Sequence, residues 1–250
     1  MSSAIATLNN RGYQMATPSP LLQDWLSSYD GQHPLLDIGC AYGINTYKAL
    51  ELGIPTVSMD LEKKHLDILL QNMDKEYRHL STCVIGELPY SIPFSDNYFS
   101  GILCAEVIHF LDGKSIETSI DLIYRKLVPN GKFVMTMASD KLLEYIDKDM
   151  HTKFQDDLEN GIKWPGEMPM DAEFTKKFQN IIENDGIRSE IDHIFGNLLH
   201  FCSVEQITEV LQHRGFGILH ANVGEHPGYE DPEGLGTVPK RILLVVAQKL

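Results

Sequence analysis

Short apolar segments of strand length alternate with segments of helical period along this chain, and this alternation constrains the fold more than any other feature. In the first 140 residues, strand-like segments lie at 35–38, 55–60, 82–86, 101–105 and 132–138. Helical patterns lie between them, at about 45–52, 63–77 and 114–127. This arrangement predicts an α/β fold with a mostly parallel sheet and helices on both of its faces.

Residues 140–200 interrupt the alternation. They contain two helical candidates, 141–159 and 171–184, separated by the turn-rich sequence WPGEMP, and we interpret them as a helical insertion after the fifth strand. The alternation resumes with a helical pattern at 204–213. Two strand-like segments, 217–223 and 241–248, then predict a closing antiparallel hairpin.

These patterns predict three parts of the chain. An N-terminal arm and helix occupy residues 1–30, the core occupies 31–139 and 201–250, and the insertion occupies 140–200. In this organisation the insertion would form a lid over the core.

The composition excludes several classes of protein. Hydrophobic residues make up 43% of the chain, and 21 basic and 35 acidic residues give a net charge of −14. Such a chain can bury a sizeable core, which excludes a disordered protein, and its acidity argues against a nucleic-acid partner. No signal-peptide pattern and no apolar segment of about 18–20 residues is present, so we expect a cytoplasmic protein without membrane contact.

The four cysteines have no metal-binding or disulfide pattern. Cys40, Cys83, Cys104 and Cys202 are widely spaced, and no pair has the C-x-x-C spacing. We therefore expect reduced thiols, without a zinc site or a disulfide framework.

A glycine-rich turn follows the first core strand. The sequence Asp37-Ile-Gly-Cys-Ala-Tyr-Gly43 ends that strand and opens the next helix. Small residues at such a position let the backbone approach a ligand, and the helix start presents free N–H groups. The spacing differs from G-x-G-x-x-G, which disfavours a nicotinamide or flavin enzyme.

With LLDIGCAYG, the chain resembles the class I S-adenosylmethionine-dependent methyltransferases, whose first motif is acid-x-Gly-x-Gly/Ala-x-Gly. The family has a Rossmann-like, mostly parallel seven-stranded sheet. The resemblance implies that this turn binds the cofactor, through Asp37, Gly39, Cys40, Ala41 and Gly43.

Asp60, which ends the second core strand, matches the family's acidic residue that binds both ribose hydroxyls. By itself, an aspartate after a strand is usually a turn or helix-cap residue. Its position 21 residues after Gly39 fits the βαβ spacing and favours the ribose role. Leu61 follows it in the same predicted site.

Two later segments complete the resemblance, which covers about residues 30–140. The segment GELPYSIPFSDNYFSGILCAEVIHFL, 86–111, looks like the family's third and fourth strand ends, and LVPNGKFVM matches its turn before strand five. The resemblance implies that Gly86, Glu87 and Leu88 flank the adenine and that Cys104 lies near the cofactor.

The residues after the fourth core strand are candidates for the chemistry. Methyl transfer from a sulfonium needs alignment and, for some acceptors, a place for a proton, but no nucleophile from the protein. His109 is the first candidate base, since histidine titrates near neutral pH, although an ordinary buried histidine is an equal alternative. Glu106 could orient the substrate or simply cap a turn.

Two subclasses of the family fit the sequence poorly. The (Asp/Asn)-Pro-Pro-(Tyr/Phe) motif of amino-methylating nucleic-acid and glutamine enzymes is absent. Glu106 and Asp140 resemble part of the metal site of catechol-type members, but the adjacent Asp-Asn pattern is missing. We therefore expect no metal ion.

Aromatic and histidine residues of the insertion are candidates for the acceptor pocket, although most of them could be ordinary core. They are Trp164, Phe174, Phe178, His193, Phe195, His200 and Phe201. Tyr13 and Met15 could fold over the cofactor from the N-terminal arm. The loop around His226–Tyr229 is interpreted as a solvated connection.

The sequence thus predicts a methyltransferase that acts on a small-molecule acceptor and releases S-adenosylhomocysteine, as a monomer or homodimer. One alternative is methylation of a protein or carboxylate. Another is a scaffold that binds the cofactor without catalysis.

Overall fold

A computed structural model describes residues 4–9, 12–180, 198–225 and 241–250. Eleven strands lie in these residues: β1 (Ala4–Ala6), β2 (Tyr13–Met15), β3 (Leu35–Ile38), β4 (Thr56–Asp60), β5 (Ser81–Ile85), β6 (Phe99–Ala105), β7 (Leu127–Ala138), β8 (Glu167–Pro169), β9 (Leu198–His200), β10 (Phe216–Glu225) and β11 (Arg241–Lys249). Within the described ranges, every helix is too short or too polar to cross a membrane.

Helices connect most of these strands. They are α1 (Leu22–Leu26), α2 (Ile44–Glu51), α3 (Lys63–Asn72), α4 (Gly113–Lys126), α5 (Asp140–Ile146), α6 (Lys148–Glu159), α7 (Ala172–Asn180) and α8 (Val204–His213), with short 3₁₀ turns at Lys75–Tyr77 and Ile108–Phe110. Side-chain caps fix several of their starts; Asp112, for example, accepts the N–H of Ser115 at the start of α4.

The main sheet has seven strands in the order β10-β11-β7-β6-β3-β4-β5. Neighbours from β7 to β5 are parallel, whereas β11 is antiparallel to both β7 and β10. Every residue of β3 and β4 is buried, because these central strands are covered on both faces. The predicted Rossmann-like sheet with an antiparallel C-terminal hairpin is confirmed.

Three predicted elements differ most from their predicted bounds. The helix predicted at 63–77 ends at Asn72. The helix predicted at 141–159 is two helices, because the Asp147 carboxylate accepts the N–H groups of Asp149 and Met150 and so starts α6. Strand β7 begins at Leu127 rather than Lys132, with Asn130 accommodated at a φ of +65°.

Residues 140–180 and 198–200, here called the helical segment, have a small hydrophobic core of their own. Helices α5–α7 contribute to it, and β8 and β9 pair as a two-stranded antiparallel sheet that the sequence did not predict. The buried members of this core from the segment are Leu142, Leu143, Ile146, Phe154, Met170, Phe174 and Leu199, and Ala138 of β7 and Phe201 complete it. This cluster is distinct from the larger core on the main sheet.

Candidate functional site

A cavity of about 230 Å³ lies at the carboxyl ends of β3, β4, β5 and β6. In open α/β sheets, ligands bind at this edge, where neighbouring connections leave a crevice. Most of the predicted site residues line the cavity together: Gly39, Cys40, Ala41, Asp60, Leu61, Gly86, Glu87, Leu88, Glu106 and His109. The topology thus brings residues 70 positions apart in the chain, from Gly39 to His109, to one site.

The turn after β3 requires glycine at position 39. Gly39 has a φ of +67°, and a Cβ atom there would lie 2.4 Å from Cγ2 of Val107. The N–H groups of Gly39 and Cys40 both donate to the carbonyl of Met59, at 2.7 and 3.2 Å. The turn is therefore fixed against β4 and against the loop after β6, with its backbone at the cavity surface.

The Asp60 carboxylate is nearly buried and already holds three hydrogen bonds. Its Oδ2 accepts the N–H of Ala41 at 3.0 Å, and its Oδ1 accepts the N–H of Glu62 at 2.8 Å. The His65 Nδ1 lies 3.1 Å from the same Oδ1. Because a carboxylate has about four acceptor positions, about one remains for a ligand hydroxyl unless a bond rearranges.

Three predicted cofactor residues lie behind the cavity wall. Asp37 is 1% exposed and accepts the Thr46 hydroxyl at 2.8 Å. Burial, together with the nearby charge of Asp60, raises the pKa of Asp37 to about 7. Burial likewise raises the pKa of the Cys104 thiol to about 12. Gly43 caps α2 against Leu69, where a Cβ would approach Cδ1 to 2.6 Å.

His109 is held in a state that does not suit the role of a base. Its Nδ1 accepts the backbone N–H of Ala138 at 3.1 Å, so the neutral ring carries its proton on Nε2. Burial, reinforced by the neighbouring His200, lowers the pKa of His109 to about 3. In this geometry the ring is a hydrogen-bond donor at the cavity wall.

Glu106 is positioned by its backbone. It lines the cavity with a φ of +56°, and its N–H donates to both the carbonyl and the hydroxyl of Thr136, each at 3.1 Å. A non-glycine residue in this conformation needs such support from its surroundings. The arrangement fixes the start of the loop that carries Val107 and His109.

Three of the residues predicted to bind the acceptor lie outside the cavity. Trp164 donates its Nε1–H to Glu117 at 3.0 Å, Phe174 is in the core of the helical segment, and buried His200 donates from Nδ1 to the Leu111 carbonyl at 3.1 Å. None of these three lines the cavity. The Tyr13 and Phe178 side chains, together with His193, Phe195 and residues 226–229, lie outside the described residues.

Two groups of cavity residues were missed by the sequence reasoning. One comes from the N-terminal residues and includes Thr7, Gln14, Thr17 and Ser19; the other is apolar and comprises Phe110, Leu111, Ala138, Leu142, Leu199 and Ile242. Neither group carries a motif. Met15 of the arm, which was expected near the cofactor, does line the cavity.

The described residues contain neither a metal-binding group nor a disulfide. No three His, Cys, Asp or Glu side chains there form a group suited to a metal ion. The four cysteines are free thiols.

Comparison with known proteins gives a family match over part of the chain and a common fold over most of it. A sequence model of the family described as "Methyltransferase domain" matches residues 36–135. No curated protein sequence is significantly similar to the chain.

Several solved structures have the same fold. A SAM-dependent methyltransferase from Methanosarcina mazei has 14% identity and a TM-score of 0.63, covering 94% of this chain and 99% of that one. One from Mesorhizobium loti has 17% identity and a TM-score of 0.63, covering 92% and 96%. The 1,6-didemethyltoxoflavin-N1-methyltransferase of Burkholderia thailandensis, with bound 1,6-didemethyltoxoflavin and S-adenosylhomocysteine, has 15% identity and a TM-score of 0.56, covering 92% and 79%.

Proposed function

The chain contains a methyltransferase domain with the fold of the class I S-adenosylmethionine-dependent methyltransferases, and from this premise we propose that it methylates a small-molecule acceptor. The observation that carries the proposal is one cavity that joins the glycine turn, Asp60 and residues 86–88 to an apolar wall. The glycine turn, Asp60 and residues 86–88 suit a nucleoside that carries a charged group. The apolar wall suits an acceptor of low polarity.

The residues of the cavity fit S-adenosylmethionine. Gly39 and Gly86 line the cavity and let the backbone of both turns pack closely against Val107 and Met59, where a Cβ would lie 2.4 and 2.5 Å from their side chains. Asp60 retains about one acceptor position for a ribose hydroxyl. The Thr17 hydroxyl lines the cavity and is buried without a partner among the described residues, so it can receive a hydrogen bond from a polar ligand.

The protein's contribution to the reaction is mainly positioning. When bound, S-adenosylmethionine supplies a methyl group activated by its sulfonium. The turn at 39–41 and Asp60 hold the nucleoside end, while the apolar wall excludes water around the acceptor. His109 donates a hydrogen bond from Nε2 that orients the acceptor, and Glu106, on the same cavity surface, takes a proton where the acceptor loses one.

The acceptor class follows from the apolar wall of the cavity. Phe110, Leu111, Leu142 and Leu199 are apolar, so the proposed acceptor is a flat or largely apolar small molecule with an atom that accepts a hydrogen bond. The structure of the Burkholderia thailandensis protein with bound 1,6-didemethyltoxoflavin supports a small-molecule acceptor for this fold. These four apolar lining residues do not form a polar groove that would suit a large polar protein partner.

Calorimetry with S-adenosylhomocysteine tests cofactor binding. We expect binding by the wild-type chain and about tenfold to hundredfold weaker binding by Asp60→Ala, the range for loss of a charged hydrogen-bond partner. The matched control is Asp67→Ala, which removes an exposed carboxylate of α3 paired with Lys63. No binding by the wild-type chain at millimolar ligand would overturn the proposal.

Transfer of a labelled methyl group to a panel of small heterocycles and phenols tests catalysis. Glu106→Gln should lower turnover of acceptors that lose a proton while leaving S-adenosylhomocysteine affinity unchanged. Binding of the cofactor without transfer to any acceptor, including metabolite extracts, would favour a non-catalytic scaffold instead.

A further inference from the structure

The N-terminal arm, defined here as residues 4–9 and 12–19, forms one wall of the cavity. Its strands β1 and β2 pair antiparallel, and the Thr7 hydroxyl donates to the carbonyl of Gly12 at 2.8 Å. Gln14 Oε1 accepts the N–H of Tyr42 at 2.9 Å, and the N–H of Ser19 donates to Asn45 at 2.8 Å. A small number of hydrogen bonds therefore holds the arm against the glycine turn and α2.

One further bond joins the arm to α3 through a histidine that the mechanism above does not use. The His65 side chain is 1% exposed, and its Nε2 lies 3.0 Å from the backbone nitrogen of Leu8. A backbone N–H can only donate, so Nε2 is the acceptor. The proton of the neutral ring is then on Nδ1, which donates to Asp60 Oδ1 at 3.1 Å.

We infer that His65 is a positioning residue, which orients the Asp60 carboxylate and, through the opposite nitrogen of the same ring, latches the arm over the cofactor. The inference rests on the proposed function, in which Asp60 binds the ribose. The Asp60 contact and the arm contact use different atoms of one rigid ring. The state of the arm and the orientation of the carboxylate are therefore coupled.

The coupling has a consequence for cofactor exchange. Arm residues Thr7, Gly12, Gln14 and Thr17 line the cavity, so a ligand that fills the cofactor side leaves fastest when the arm moves away. That movement breaks the bond from Leu8 to Nε2. His65 thereby sets the rate of cofactor release as well as the geometry of the ribose site.

Two substitutions that each keep a polar atom near one ring nitrogen separate the two roles. An asparagine amide lies about where Nδ1 of histidine lies, and a glutamine amide lies about where Nε2 lies. His65→Asn therefore keeps a donor for Asp60 and loses the acceptor for Leu8. His65→Gln keeps an acceptor for Leu8 and loses the donor for Asp60. The control is His213→Asn, at an exposed position in the last turn of α8.

The experiment measures amide hydrogen exchange of residues 4–9 and 12–17 without ligand, and the affinity and dissociation rate of S-adenosylhomocysteine. His65→Asn should speed exchange of the arm and ligand dissociation, each about tenfold, the effect of losing one buried hydrogen bond. His65→Gln should leave arm exchange within about threefold of wild type and weaken S-adenosylhomocysteine about tenfold. His213→Asn should change neither measurement.

Each half of the inference has its own contrary result. Unchanged arm exchange in His65→Asn would overturn the latch, and unchanged affinity in His65→Gln would overturn the orientation of Asp60. Equal changes in both variants would overturn the separation of roles and assign His65 to packing alone. If the wild-type chain does not bind S-adenosylhomocysteine, the proposed function fails, whereas arm exchange still decides the latch.

Discussion

The two halves of the cavity are lined by different kinds of chemical group. The half that we propose for the cofactor, here called the cofactor half, consists of the turn at 39–41, Asp60 and residues 86–88, and it presents backbone groups and a carboxylate at the ends of neighbouring strands. The half that we propose for the acceptor, here called the acceptor half, consists of Phe110, Leu111, Leu142 and Leu199, and it presents apolar side chains from segments far apart in the chain. The sheet topology fixes the first half. Side-chain packing between the helical segment and the loop after β6 fixes the second.

The two halves meet at Gly39 and Val107, and a methyl group at this contact should have the largest effect. Gly39→Ala places a Cβ at a φ of +67° and 2.4 Å from Val107 Cγ2. Left-handed strain and overpacking together should lower the free energy of unfolding by about 2–4 kcal/mol. Urea denaturation measures this loss, and calorimetry should show more than about tenfold weaker S-adenosylhomocysteine binding.

Gly31→Ala is the control for backbone strain alone. Gly31 has a φ of +84° with open space where its Cβ would be, so the cost should be about 1–2 kcal/mol without loss of binding. Equal costs for the two substitutions would show that the contact between the halves is not tight.

Two buried groups that flank the halves, His109 and Asp37, should respond to acid in opposite directions. The pKa of His109, at about 3, lies below its ordinary value of 6.5, so the unfolded chain binds the proton first and stability falls as the pH drops below about 6.5. The pKa of Asp37, at about 7, lies above its ordinary value of 3.8, so stability is lost as the pH rises from about 4 towards 7. Each contributes a slope of about 1.4 kcal/mol per pH unit between pH 4 and 6.

His109→Asn should remove one of these slopes and retain an acceptor for the Ala138 N–H. The stability advantage of the wild-type chain over this variant should grow by about 1.4 kcal/mol per pH unit from pH 4 to 6. Asp37→Asn should change the pH dependence in the opposite direction. Urea denaturation at several pH values measures both, and a pH-independent difference for His109→Asn would contradict the buried neutral ring.

The smallest effect is expected at Trp164, which tests where the acceptor half ends. Trp164→Phe removes the hydrogen bond to Glu117 and retains most of the ring packing, so it should cost about 1 kcal/mol of stability. Acceptor turnover and S-adenosylhomocysteine affinity should stay unchanged, because Trp164 does not line the cavity. A changed acceptor preference would extend the acceptor half to this residue.

The same contrast explains what the sequence could predict. Strand alternation and the turn after β3 located the sheet and the cofactor half, because a parallel sheet brings the ends of its strands to one edge wherever the intervening helices lie. The break at Asp147 depends on an individual cap, and the end of α3 at Asn72 follows from the extended backbone of Met73. A periodic sequence pattern carries little information about where a helix starts or ends.

The acceptor half could not be predicted in this way. Leu111 and Leu199 are 88 positions apart, and no spacing rule relates them. Aromatic character indicated Trp164 and Phe174, but a large apolar ring is equally suited to a core, where Phe174 lies. The arm was expected near the cofactor through Tyr13 and Met15, but its contacts were not predicted. The Tyr42 N–H donates to the Gln14 side chain and the Leu8 N–H to the His65 side chain, and these bonds form only after folding.

The separate core of the helical segment bears on how such a protein changes over evolution. Leu142 and Leu199 belong to that small cluster and not to the core of the main sheet. Substitutions that reshape the acceptor wall therefore change the stability of the helical segment. The strands that support the cofactor half are unaffected. Selection can then alter the preferred acceptor by repacking a few leucine and phenylalanine positions, and a library limited to this cluster is a practical starting point for engineering new specificities.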